Sequence, residues 1–350
     1  MAPYTPWESA ARQNYSTHGY RMPLSRFTYH RPTTAADAAR LLASPDALPM
    51  GGGTDLLVFL KEDLARPESV VDLRAIPGAR TITATGDGGL RIGAAARIAE
   101  LARDDTLRQR FPSLAAACES VGTTAIRHMG TIGGNLCQRP RCWYLRRNVP
   151  CLKNGGSDCP AEHGENQYHA ILGGGPCYIV HPSDPAVALT ALGAVVEVTS
   201  SRGTRRIAIE ELYLLAAERI ERETVLEDDE VVSAIELDGA SAGGLQRYKK
   251  LMQRGSWDFA LASLAWVRRR DGAVRLVLGG VAPRPWRLSR SIEDEVASGR
   301  LEAGDVARLV DDALYEARPL ARNGYKVQLA QALLRRAITE LSAAARAAPA

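Results

Sequence analysis

The 350-residue chain has no apolar run long enough to cross a bilayer. Its N-terminal stretch, MAPYTPWESAARQNYSTHGYRMPLSRF, lacks both the apolar core of a secretory signal and an Arg-Arg pair. The expectation is a cytoplasmic protein, or a periplasmic one if a signal-bearing partner carries it across. A strong excess of one charge is also missing. With 44 basic and 40 acidic residues the net charge is +4, and no basic stripe interleaves with aromatics. Nucleic acid is therefore not an expected partner. The runs Arg146-Arg147 and Arg268-Arg269-Arg270 read as solvated edges of elements. The glycine loops match neither G-x-G-x-x-G nor G-x-x-x-x-G-K-S/T, which leaves Rossmann and P-loop readings without support. No Ser-His-Asp or Cys-His grouping and no paired carboxylates suggest substrate chemistry, so the residues read as those of a cofactor carrier. There is no internal repeat.

What is present is ordinary for a globular chain of two or three domains: 45% hydrophobic and 24% charged residues. Residues 1–25 read as a polar extension without periodicity. Helical spacing appears at 34–43, with Ala38, Leu41 and Leu42 on one side, and again at 96–101 and 113–120. Cys118 reads as a small buried core thiol. Short strands are expected at 70–73, 89–93 and 195–198, and a helix at 186–192. The segment 238–244, rich in small residues, reads as a linker. Beyond it, strands are expected at 259–268 and 274–281 with Gly272 in the turn, then helices at 303–317 and 325–344, with 344–350 fraying.

Two glycine loops stand out. Gly51-Gly52-Gly53-Thr54-Asp55 lies between a short strand and a helix, and Gly130-Thr131-Ile132-Gly133-Gly134-Asn135-Leu136 forms a second loop. Such segments let backbone N–H groups approach a phosphate with no Cβ in the way. Each alone reads first as a plain structural turn; two in one chain shift the reading modestly toward a dinucleotide. Five of the six cysteines fall between 137 and 177: Cys137, Cys142, Cys151, Cys159 and Cys177. In a large chain without a signal, such clustering favours metal or redox chemistry over a disulfide framework. From Cys142 the spacing is C-x8-C-x7-C-x17-C, without a C-x2-C pair. Spacing alone leaves a cluster or zinc ion, disulfides and unrelated thiols all open. The stretch of about 137–178 is too long for an empty connection. His163, His169 and His181 read as hydrogen-bonding loop residues rather than ligands.

Gly51 to Leu56, Thr131 to Leu136 and His181-Pro182-Ser183-Asp184 occur in an order and at separations that resemble a known family. It is the FAD-binding subunit, or middle domain, of xanthine dehydrogenase, aldehyde oxidoreductase and carbon monoxide dehydrogenase. Arg254-Gly255-Ser256-Trp257-Asp258-Phe259-Ala260 is similar to the segment opening that family's last domain, and the likeness runs from about 26 to 342. Arg141-Cys142-Trp143-Tyr144, Cys151-Leu152-Lys153, Cys159, Gly164-Glu165-Asn166 and 169–172 resemble the loop carrying an extra [4Fe–4S] cluster in bacterial molybdenum aldehyde oxidoreductases. A related loop in 4-hydroxybenzoyl-CoA reductase has its last cysteine where this chain has Tyr168, which favours the aldehyde-oxidoreductase branch.

The resemblance implies an α+β fold. An FAD-binding domain at 26–240, of the two-subdomain vanillyl-alcohol-oxidase (PCMH) type, would precede a C-terminal α/β domain at 245–345, of the CO dehydrogenase flavoprotein type, with a short antiparallel sheet and helices. It also implies site residues. Gly51, Gly52, Gly53, Thr54, Asp55 and Leu56, with Thr131, Gly133, Gly134 and Asn135, would hold the FAD pyrophosphate and ribityl chain. Asp184 would meet the adenosine ribose, with Thr123 and Lys250 as flavin neighbours. Cys142, Cys151, Cys159 and Cys177 would ligate the [4Fe–4S] cluster, and Cys137 is left out. Partners would be a large molybdenum-cofactor subunit, where an aldehyde or N-heterocycle is oxidised, and a small [2Fe–2S] subunit. Electrons would then leave through FAD to an external acceptor. The alternatives are the flavin subunit of a 4-hydroxybenzoyl-CoA reductase-like enzyme, a stand-alone FAD oxidase and a zinc-stapled scaffold without flavin.

Overall fold

A computed structural model describes residues 24–302 and 304–347. The extension expected at 1–25 lies almost wholly outside the described residues, as do 348–350 of the expected fraying end. Three sheets carry the chain. The first is parallel and small: β1 (Thr28–His30), β2 (Ala47–Met50) and β3 (Ser69–Asp72), in the order β1-β3-β2. Between β1 and β2 runs the helix Ala35–Leu42. Thr34 starts it by accepting the Asp37 N–H at 3.0 Å, and Ala38, Ala39 and Leu42 are its buried side.

The second sheet is antiparallel: β4 (Ile82–Ala84), β5 (Leu90–Gly93), β6 (Val195–Ser200), β7 (Gly203–Ala208) and β8 (Val231–Leu237), in the order β4-β5-β8-β6-β7. Its core includes Val196 and Val198 from β6 and the helices Ile98–Arg103, Pro112–Glu119 and Asp184–Leu192. Cys118 is fully buried there, as expected.

The third sheet, also antiparallel, holds β9 (Leu245–Leu251), β10 (Ala262–Arg268), β11 (Val274–Gly279) and β12 (Trp286–Arg287), in the order β12-β11-β10-β9. It is covered on both faces, which explains the continuous apolar runs. Ala265 and Val267 of β10 face the core shared with helix Asp184–Leu192, while Leu264 and Trp266 face the helix Tyr325–Ala347. The helices Arg290–Ser298 and Asp305–Ala313 complete that outer layer.

The segment 238–244, expected as a linker, joins β8 to β9 and holds a pinned 3-10 turn, Gly239–Ser241. The buried Ser241 hydroxyl donates to the Leu192 carbonyl at 2.7 Å, and Gln246 Nε2 donates to the carbonyls of Ser241 and Gly243 at 2.7 and 2.8 Å. Its residues are small because they are packed. Arg269, expected on a solvated edge, has a side chain only 11% exposed. It donates to Ser241 Oγ at 2.8 Å and pairs with Asp238 at 3.1 Å.

The cysteine-bearing insertion is anchored at its far end by the outer layer. Ile171 and Leu172 sit in the core of the third sheet, and Ile171 N–H donates to the Val281 carbonyl at 2.8 Å. From the last helix, the fully buried Lys326 donates to the carbonyls of Tyr168, His169 and Gly280 at 2.9, 3.1 and 2.7 Å. An ammonium has three donors, and here three acceptors meet it. Asn323 Nδ2 adds bonds to the His169 and Ala170 carbonyls. Among the described residues no helix is long and apolar enough to cross a membrane.

Candidate functional site

β2 delivers the chain into Gly51–Asp55, and the short helix Leu56–Lys61 carries it away. Gly53 sits at φ +75°, a conformation that glycine takes without a Cβ penalty. A Cβ on Gly52 would overlap the Met129 carbonyl oxygen, and one on Gly51 would overlap Thr131 Oγ1. Only glycines let the two loops touch. The second loop is tighter than expected: residues Ile132–Leu136 close into a helical turn. Thr131 starts it by accepting the Gly134 N–H at 3.2 Å, and Gly133 N–H donates to the Ala94 carbonyl at 2.8 Å. A Cβ on Gly133 would stand 2.9 Å from Ala94 Cβ. Among the described residues, the backbone N–H groups of Gly52, Gly53, Thr54 and Asp55 donate to no protein acceptor. Successive free donors passing through a left-handed glycine form a concavity that suits phosphate oxygens. The residues thus fit the diphosphate of a dinucleotide.

The other expected flavin residues gather on neighbouring elements. Thr123 starts the helix Thr124–Met129, its hydroxyl accepting the Ile126 N–H at 3.2 Å. Asn135 Oδ1 accepts from Ser183 Oγ at 2.6 Å, which ties the second loop to the start of helix Asp184–Leu192. Asp184 is buried, with Tyr248 O–H donating to one oxygen at 2.6 Å and Lys250 Nζ to the other at 2.8 Å. Burial raises its carboxyl above the usual carboxylate value, against the pull of Lys250. Tyr248 and Lys250 alternate along β9, so both reach the same side of the sheet. A cleft of 490 Å³ opens beside this pair, walled by Ser183, Asp184, Ser263, Phe259, Trp143 and His169.

The insertion lies against the first loop and contains one short helix, Trp143–Arg146. All its cysteines are free thiols. Cys151, Cys159 and Cys177 are only 6–9% exposed, whereas Cys137 is exposed. Backbone N–H groups point at three of the sulfurs. Cys142 lies beside those of Leu145 and Tyr144, Cys159 beside those of Tyr178 and Ala161, and Cys177 beside that of Ile179, each favouring the charged sulfur. Cys142 also lies within electrostatic range of Cys159 and Cys151. A hydrogen bond between them lowers the Cys159 thiol, against the effect of burial, and raises Cys177, while burial raises Cys142 to about 11. Donors aimed at sulfur favour the thiolate, the form that binds metal. Among the described residues no three His, Cys, Asp or Glu side chains could hold a single metal ion. A four-iron cluster is wider than an ion, and its thiolates stand correspondingly further apart. Four cysteine thiols within one insertion are the ligand type such a cluster takes.

Aromatic rings wall this region. Trp143 meets Tyr168 edge-on at 5.4 Å and His169 at 5.7 Å between centroids. His169 Nε2 lies 3.3 Å from Cys142 Sγ, and burial and Lys326 lower its imidazole to about 4.

The residues the sequence did not mark are arginines. Arg146, expected on a solvated edge, has a side chain 13% exposed. It sits over the Phe59 ring at 4.5 Å and meets Asp55 Oδ1 at 2.7 Å. Arg141 meets the same oxygen at 2.7 Å. No local signal marks these pairs, because the partners are far apart in sequence.

His181 is buried beside the Tyr213 ring at 4.4 Å, and among the described residues its Nε2 has no partner. Burial lowers its imidazole to about 3 from the ordinary 6.5. Between those values the unfolded chain binds a proton that the folded chain refuses. Stability therefore rises with pH through this window and is lost as pH falls below 6.5, by at most about 1.4 kcal/mol per pH unit from one group. His169 acts with the same sign. Thermal melts of His181→Gln across pH 4–7 should show a shallower acid-side decline than the parent, and an unchanged slope would contradict this account.

Residues 25–237 match the family model described as the FAD binding domain in molybdopterin dehydrogenase. The FAD-binding subunit PaoB of an aldehyde oxidoreductase from Escherichia coli (strain K12) is 37% identical over 328 residues, covering 92% of this chain and all of that protein. A putative xanthine dehydrogenase FAD-binding subunit, XdhB, from the same strain is 27% identical over 91% of this chain and 97% of its own length. Among solved structures, carbon monoxide dehydrogenase from Hydrogenophaga pseudoflava superposes with a TM-score of 0.70 at 25% identity. The alignment covers 92% of this chain and 99% of that one.

Proposed function

The chain belongs to the family of FAD-binding domains in molybdopterin dehydrogenases, as an oxidoreductase's FAD-binding subunit. From that premise we propose that it also carries a [4Fe–4S] cluster and serves a heteromeric molybdenum hydroxylase as its electron-transfer subunit. The observation that carries the cluster is the set Cys142, Cys151, Cys159 and Cys177: free thiols in one insertion, three of them already met by backbone donors.

In this reading residues 26–240 hold the flavin and the insertion, and residues 245–345 pack against both. The backbone of Gly51, Gly52, Gly53, Thr54, Asp55 and Leu56 cradles the diphosphate, with Thr131, Gly133, Gly134 and Asn135 along the ribityl chain. Asp184 keeps acceptor capacity for a ribose hydroxyl, since its two carboxylate oxygens offer about four lone pairs and Tyr248, Lys250 and Ser120 take up three. Thr123 and Lys250 border the flavin. The flavin would supply exchange between two-electron and one-electron carriers, and the cluster a single-electron store tunable over roughly −700 to +450 mV. This chain's own work is to fix the two groups, exclude water from the cleft and hold Lys250 against Asp184.

Substrate oxidation then belongs to a large molybdenum-cofactor partner, with a small [2Fe–2S] partner between, and an external acceptor drains the electrons. The aldehyde branch is favoured by the PaoB likeness, with N-heterocycles as the alternative class. The assembly would be cytoplasmic, or periplasmic when a signal-bearing partner exports it. Purifying the tagged chain from its native cells, with metal analysis and mass spectrometry of the complex, tests this. A heteromer holding molybdenum and both partners is expected. A lone chain that oxidises substrate without molybdenum would instead make it a free-standing oxidase.

A further inference from the structure

Asp55 belongs to the first glycine loop by position, yet its side chain is spent elsewhere. Oδ1 meets Arg141 Nη1 and Arg146 Nη2, both at 2.7 Å, and Oδ2 accepts the Arg139 N–H at 2.8 Å. The bonds span sequence separations of 84 and 91 residues for Arg139 and Arg146. Arg146 is further fixed by the Pro140 and Arg139 carbonyls at 2.9 and 3.1 Å and by the Phe59 ring. Phe59 and Asp55 stand one helical turn apart, so one short element grips the guanidinium from two sides.

What lies between the two arginines is Cys142. Arg141 immediately precedes it, and Arg146 ends the short helix that Cys142 begins. The N–H groups that meet the Cys142 sulfur, those of Tyr144 and Leu145, belong to the same turn. The Asp55 carboxylate thus holds both ends of the segment that presents one thiol. Without it, two guanidinium groups with side chains only 27% and 13% exposed would face each other uncompensated, and the turn would have to open.

We propose that Asp55 is a positioning residue for the cluster, joining the flavin loop to the cysteine loop. Its backbone serves the diphosphate while its carboxylate, through Arg141 and Arg146, sets Cys142. The inference rests on the cluster reading above. It goes further in making cluster assembly depend on a residue of the flavin loop.

The test uses the full chain, purified without exposure to air, as parent, Asp55→Asn, Asp55→Glu and Arg146→Gln. Iron, sulfide and FAD are counted on each sample, and the dithionite-reduced cluster is recorded by electron paramagnetic resonance with a redox titration. Asp55→Asn should lose at least half its iron, whatever FAD it holds. The cluster that remains should show an altered signal and a higher potential, because a negative charge near Cys142 has gone. Asp55→Glu should restore most of the iron, and Arg146→Gln should keep its FAD and lose iron to the same extent, with the potential of its remaining cluster shifted lower because a positive charge has gone, so the point does not hang on one variant folding well. Full iron with an unchanged signal in both Asp55→Asn and Arg146→Gln would overturn the inference. So would loss of FAD with iron retained, which would turn the Asp55 side chain toward the flavin. A parent without iron would sink the cluster reading itself, before any substitution is compared.

Discussion

Replacing Cys159 by serine is expected to leave a yellow protein that keeps its FAD and has lost its iron. Cys159 is the thiol that the structure ties to two of the other three. The Cys177 thiol hydrogen-bonds its sulfur, the Tyr178 and Ala161 N–H groups lie beside it, and Cys142 lies within its electrostatic reach. A serine oxygen is harder and far less acidic than a thiol, so it is a poor substitute at a thiolate-bound iron site. A cubane held by four thiolates should carry about four irons per FAD, and the variant fewer than about one. Iron and sulfide assays on anaerobic samples measure this. Two other serines serve as comparisons. Cys137→Ser, at an exposed position, should leave the iron count unchanged. Cys118→Ser, in the main core, should lower the melting temperature without touching iron. Iron loss from Cys137→Ser, with none from Cys177→Ser, would reassign the fourth ligand.

Gly52→Val should abolish flavin binding. The Cβ alone would overlap the Met129 carbonyl oxygen and stand 2.8 Å from Gly130 Cα, and the valine branches add further clashes. Both obstacles are backbone, so no rotamer change relieves them. The loops must part, and the free donors at 52–55 would no longer be aligned. Overpacking of this kind costs about 1–3 kcal/mol, below the roughly 5–15 kcal/mol that holds a domain together. The chain should therefore stay folded while FAD falls from about one per chain to under a tenth, on the premise of tight single-site binding. Flavin release on denaturation and a circular-dichroism melt give the two readings. Full flavin occupancy in Gly52→Val would remove the loop from the flavin site.

Much of this arrangement is legible in sequence where the signal is local. The helix after Thr34 shows its cap and its apolar spacing within ten residues, and β10 and β11 show as apolar runs around Gly272. Other parts carry no such signal. β7 is an edge strand whose residues are exposed apart from Ile207, so it lacks apolar alternation. β8 pairs with β5 and β6 across more than 30 residues, a register that only the folded sheet reveals. The turn at Ser241 reads as a linker by composition, and the Arg269 and Gln246 bonds that fix it show only in the fold.

The site divides in the same way. The glycine loops and the cysteines are visible because each needs particular residue types at short spacing. The arginines that tie them together are not, since an Arg-Arg pair on a polar stretch looks like any solvated edge until Asp55 and Phe59 come alongside. Lys326 and Asn323, which hold the far end of the insertion by its carbonyls, bond only to backbone, and backbone partners leave no trace in residue choice.

The most direct test is an anaerobic absorption spectrum of the purified chain, with iron, sulfide, zinc and FAD quantified on the same sample. A brown protein with about four irons and four sulfides per FAD, and no zinc, is the predicted result. FAD without iron, in protein never exposed to air, would keep the flavin subunit and contradict the cluster; zinc without flavin would contradict the account as a whole.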